Sequence, residues 1–108
     1  MDFLQAVELI TPMSEAARNA ISAISKEIKV PKNEFLLEEG QICEHLYFVK
    51  SGSLRGLTNK DGNIVTYWFS LDGLFATSFG SFISRTPSKE AICSIEDSTL
   101  MSIHLVDN

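Results

Sequence analysis

From position 26 onward, apolar and polar residues alternate in short runs cut by turn signals. That is a period of two, the period of strands rather than helices. KEIKV at 26–30 alternates as a first edge strand, and Pro31-Lys32-Asn33 turns the chain into FLL at 35–37. Glu38-Glu39-Gly40 ends that strand, with Gly40 supplying a tight bend. HLYFVK at 45–50 is apolar at nearly every position, as expected of a strand buried inside a two-layer roll. Ser51-Gly52 leads into a strand at 53–58, and Asp61-Gly62 is a strong hairpin signal before IVTYWF at 64–69.

After the Asp72-Gly73 turn the pattern changes. LFATSFGSFIS at 74–84 lacks alternation and reads as a short helix at 74–82 followed by a loop that includes 85–88. Strand alternation resumes at 90–95, with Ala91, Cys93 and Ile95 on one face, and after a turn at 96–98 it closes with 99–105, where Met101 and Ile103 share a side.

The first 25 residues carry a different period. Phe3, Leu4, Val7 and Leu9 fit one face of a short amphipathic segment, which Thr11-Pro12 breaks. Ser14 is a good N-cap, and Glu15 suits the positive end of a helix dipole. Ala17, Ala20, Ile21, Ile24 and Ile28 then form an apolar stripe, as of a helix covering an open end of the β-core. The expectation is a helical segment over 1–25 packed on a mainly β unit over 26–108. About seven strands at this spacing imply a sandwich, jelly roll or barrel.

Composition narrows the function. With 108 residues the chain suits one domain. A net charge of −5 makes it a poor direct partner for nucleic acid, because its nine Lys and Arg are scattered. Cys43 and Cys93 form no CxxC and read as two reduced thiols. No signal peptide and no run long enough to cross a membrane are visible, so a cytoplasmic location with no membrane partner is expected.

Catalytic signatures are missing from the sequence. His45 and His104 do not form the clustered set that a cupin-like metalloenzyme needs, so no metal is expected. There is no P-loop and no GxSxG, and Ser78 and Ser81 have no histidine near them in sequence. Tyr67 and Trp68 have rings able to stack on a base, although strand packing explains them as well. Phe75, Phe79 and Phe82 recur at helical spacing, either as the buried face of the short helix or as the lining of an apolar pocket.

Taken in order, Pro31-Lys32, Glu39-Gly40, LYFVKSGSLR at 46–55, Asp61-Gly62, and Pro87 ahead of Ile95-Glu96-Asp97-Ser98 resemble the cyclic-nucleotide-binding domain of Crp/Fnr-type bacterial regulators. The resemblance implies a double-stranded β-helix, or jelly roll, with N-terminal helices beside it and one short helix between strands. It also implies a non-catalytic sensor whose dimerisation helix and helix-turn-helix follow the last roll strand. Homodimer formation and DNA contact would then belong to the full-length protein.

In that family a Gly-Glu pair opens a short helix and an Arg-Ser or Arg-Thr pair follows. The Glu holds the ribose hydroxyl, the Arg pairs with the cyclic phosphate, and helix-start amides complete the anion site. Aligned on Ile95-Glu96-Asp97, this sequence places Thr77-Ser78 and Ser88-Lys89 at those positions, so both charged anchors are lost. Lys89 offers a point charge without the guanidinium fork, and Arg85 lies close in sequence. Thr77, Ser78, Phe79, Ser88 and Lys89 are therefore the candidate lining of a degenerate pocket. Tight cyclic AMP binding is disfavoured, no cofactor is expected, and the partner is an unidentified small-molecule effector or a protein. A ligand-free interaction scaffold is the alternative.

Overall fold

A computed structural model describes Gln5 and residues 14–104. Helix α1 spans Glu15–Ile24, and the Ser14 hydroxyl caps it by accepting from the Ala17 amide at 3.1 Å. Eight strands follow: β1 (Ser25–Val30), β2 (Phe35–Leu37), β3 (His45–Ser51), β4 (Ser53–Lys60), β5 (Asn63–Leu71), β6 (Phe75–Ala76), β7 (Ala91–Ser94) and β8 (Ser98–His104). Helix α2, Phe79–Ser84, lies between β6 and β7.

The strands form two four-stranded sheets, ordered β1-β8-β3-β6 and β2-β7-β4-β5, and every pairing is antiparallel. The fold is thus mainly β and of the roll type expected. Asp61 and Gly62 both take positive φ, at 55° and 86°, which is the two-residue turn whose twist matches a hairpin. A core between the sheets gathers Tyr47 and Val49 of β3, Leu54 of β4, Ile92 of β7 and Leu100 of β8. As anticipated for an apolar run, three successive β3 residues, Tyr47, Phe48 and Val49, are all buried.

Three expectations need correction. Residues 74–84 do not open on a helix: Phe75-Ala76 pairs with Tyr47-Phe48 as a short strand, and the helix occupies 79–84 instead of 74–82. Phe75 therefore packs on Phe48 with ring centroids 5.2 Å apart, while Phe82 packs against the main core, so these two rings do not share one helix face. Ile28 does not continue the α1 stripe, because the helix ends at Ile24 and Ile28 lies in β1. Apart from Gln5, the expected segment at 2–9 lies outside the described residues, and so does Leu105.

Strand β5 is an edge strand, and its register with β4 slips between Gly56 and Leu57: Trp68 pairs with Gly56, but Leu57 pairs with Thr66. Tyr67 is the extra residue of a β-bulge. Cross-strand partners share a face, so the bulge keeps Tyr67 on the same side as Trp68 and turns Ile64, Thr66, Phe69 and Leu71 outward. Ile64 and Phe69 are consequently 58% and 62% exposed despite the high strand propensity of this run.

Candidate functional site

Between the β4–β5 hairpin, helix α2 and the loop after it lies a cavity of about 610 Å³. The hairpin contributes Thr58, Lys60 and Tyr67, the helix side contributes Ser78, Ser81 and Ser84, and the loop contributes Thr86, Lys89 and Glu90. The bulge is what brings Tyr67 to this wall; strict alternation with Trp68 would turn it outward.

Helix α2 and the residues before it are moored to the loop ahead of β3, and to its first residue, by polar contacts. The Ser81 hydroxyl accepts from the Cys43 amide at 2.9 Å and donates to the Thr86 carbonyl at 2.6 Å. Thr77 donates to the His45 carbonyl at 2.8 Å, and the Cys43 thiol lies 3.4 Å from the Thr77 hydroxyl. Both Cys43 and Cys93 are free and buried.

Of the five candidate residues, Ser78 and Lys89 line the cavity, Phe79 is the first residue of α2, and Thr77 is buried and turned to His45. Ser88 is buried behind the wall, where its hydroxyl meets that of Ser78 at 3.0 Å. Ser88 also donates to the Glu90 carbonyl at 2.7 Å and accepts from the Glu90 amide at 3.1 Å. A hydroxyl has one hydrogen, so Ser78 must be the donor in the Ser78–Ser88 bond. Arg85 does not line the cavity: it ends α2 at φ 58° and donates to the Cys43 carbonyl at 3.4 Å.

Sequence reasoning missed Thr58, Lys60, Ser84, Thr86 and Glu90 as lining residues. Thr58 and Lys60 carry the signal of alternation along β4, which puts them on the same side as Gly56, but the bulge hides their match to β5. Thr58 donates to the Tyr67 phenol oxygen at 3.4 Å. That bond and then the Lys60 ammonium hold the Tyr67 phenol below its ordinary range. Among the described residues, no group of three or more His, Cys, Asp or Glu side chains is placed to hold a metal ion.

Residues 27–107 match the family model described as cyclic nucleotide-binding domain. No curated protein sequence matches the chain. The regulatory domain of Toxoplasma gondii PKA, co-crystallised with cAMP, is similar with a TM-score of 0.77 and 20% identity, over 96% of this chain and 43% of that one. Thermus thermophilus Catabolite Activator Protein gives a TM-score of 0.72 and 16% identity, over 89% of this chain and 45% of that one. The regulatory subunit of a cAMP-independent protein kinase A from Trypanosoma brucei gives 0.79 and 14%, over 94% and 38%. The chain spans less than half the length of each of these three, and at such identities the likeness is one of fold.

Proposed function

The chain belongs to the cyclic nucleotide-binding domain family, and from that premise we propose that it is the non-catalytic sensor portion of a Crp/Fnr-like transcription regulator that does not hold cyclic AMP tightly. The observation that carries this reading is the Ser78–Ser88 contact at 3.0 Å. Where the family resemblance calls for a carboxylate and a guanidinium, this chain has two buried hydroxyls bonded to each other. A missing charge-assisted phosphate contact costs about 1.5–3 kcal/mol, or about ten- to a hundredfold in affinity. The described likeness to a catabolite activator protein supports the regulator assignment, and the trypanosome kinase subunit, described as cAMP-independent, illustrates the same fold in such a setting.

In this reading an effector in the cavity shifts helix α2 and biases a dimerisation helix beyond the roll, with DNA contacted by a further domain. The switching energy comes from the effector's differential affinity for the two states. Isothermal calorimetry with cyclic AMP and cyclic GMP is expected to give binding weaker than micromolar; micromolar or tighter binding refutes the reading. A second reading, an interaction scaffold that takes no small ligand, is favoured by the outward apolar set of Phe35, Ile64, Phe69 and Leu71.

A further inference from the structure

We propose that the cavity between the β4–β5 hairpin and helix α2 takes a small polyhydroxylated organic anion, of the sugar-acid or polyol-phosphate class, in place of a cyclic nucleotide. The proposal rests on reading this cavity as the domain's ligand site. The directions of the hydrogen bonds around the wall favour such a ligand.

Each Ser and Thr hydroxyl on the wall has one hydrogen to give. Ser78 gives its hydrogen to Ser88, Ser81 to the Thr86 carbonyl, and Ser84 to the Gly80 carbonyl at 2.6 Å. Thr58 donates to Tyr67. Because the Ser84 hydrogen is engaged, Thr86 is the donor in the Ser84–Thr86 contact. The hydroxyls therefore offer a ligand oxygen lone pairs, and the Glu90 carboxylate beside them offers more.

The donors of the cavity are of another kind. Lys60 ends β4 and Lys89 lies on the loop, and both line the same space. Among the described residues the ion pairs are Lys50–Glu27 and His104–Glu44, so neither of these two ammonium groups is neutralised by a carboxylate partner. The Tyr67 hydroxyl hydrogen adds a third donor, because the phenol oxygen accepts from Thr58.

A fitting ligand has to donate to the hydroxyls and carry negative charge toward the lysines. A cyclic nucleotide brings an anionic phosphate for the lysines but a single ribose hydroxyl for a wall of several acceptors. A neutral sugar satisfies the serines and leaves the lysines uncompensated. An alkyl carboxylate does the reverse and leaves acceptors desolvated without partners, which costs affinity. A polyhydroxylated anion satisfies both sets of groups.

The test is calorimetry on the folded chain with gluconate, glycerol phosphate, glucose, hexanoate and cyclic AMP. Gluconate or glycerol phosphate is expected to bind at least about tenfold tighter than glucose and hexanoate, and whichever of the two is tighter assigns the carboxylate or the phosphate source. Lys60→Met and Lys89→Met, both at exposed positions and checked for folding by circular dichroism, are each expected to weaken that binding about tenfold. Hydroxylated anions that bind no better than glucose and hexanoate overturn the proposal, and so does unchanged affinity in both lysine variants. Micromolar cyclic AMP binding overturns instead the reading of the Ser78–Ser88 corner, so the two failures are separable.

Discussion

At the scale of single residues, the decisive feature is a pair of hydroxyls where a charge pair would change the chemistry. Ser78 and Ser88 are buried and within hydrogen-bond distance of each other, so a carboxylate at the first and a guanidinium at the second would stand side by side, one for the ribose hydroxyl and one for the cyclic phosphate that the family resemblance assigns to these positions. The double variant Ser78→Glu, Ser88→Arg is expected to gain at least about tenfold in cyclic AMP affinity over the unmodified chain, measured by calorimetry. No gain in a folded double variant shows that these positions are not the phosphate corner. Gly56 matters for a different reason: the Trp68 indole lies directly over it, and a β-carbon there would overlap the ring. Trp68 cannot move freely, because its indole N–H donates to Glu90 at 3.2 Å. Gly56→Ala is expected to cost about 1–3 kcal/mol in a urea melt.

At the scale of elements, β3 and β8 are fastened at one end by a cross-strand pair of histidines. His45 faces His104 with ring centroids 4.8 Å apart, Glu44 reaches His104 at 3.4 Å, and Tyr47 stacks on His45 from the other side. Burial, and then the neighbouring His104, hold the His45 imidazole below its ordinary value of 6.5, against the weaker pull of Glu44. As pH falls through 6.5, the unfolded chain takes up a proton at this site before the folded chain does, so stability falls. Below the folded value both states are protonated and the loss stops growing. Thermal melts are expected to show a midpoint that drops on acidification from neutral pH, and His45→Gln is expected to flatten that dependence. An unchanged slope in the variant rules out His45 as the group responsible.

At the scale of the whole molecule, the two sheets follow from local chemistry repeated along the chain. Period-two alternation marks β1, β7 and β8, and Asp61-Gly62 specifies its own turn through two positive φ values. Those features need only near neighbours in sequence, which is why they were legible. What was not legible depends on distant partners. Phe75-Ala76 is a strand only because β3 offers an edge to it, so the run at 74–84 lacked a period to reveal it. The Tyr67 bulge is a one-residue slip against β4, invisible in β5 alone, and it decides which side of the hairpin faces the cavity. The Ser78–Ser88 bond joins a helix cap to a loop ten positions later, so alignment located both residues without showing that they touch. Lys60 escaped notice because a charged residue beside a turn usually belongs to the solvent.

The mooring of helix α2 to Cys43 carries a practical corollary. Cys43 is 2% exposed; its thiol lies 3.4 Å from the Thr77 hydroxyl, and its amide donates to Ser81 of α2 at 2.9 Å. On the proposed sensor reading, an effector that lifts residues 77–81 breaks both contacts and uncovers a sulfur atom. The pace at which a small alkylating reagent modifies Cys43 then counts how often the latch opens, with the equally hidden Cys93 of β7 as an internal clock for general unfolding. The proposed switching thus has a gauge inside the chain, one that needs no ligand in hand to be read.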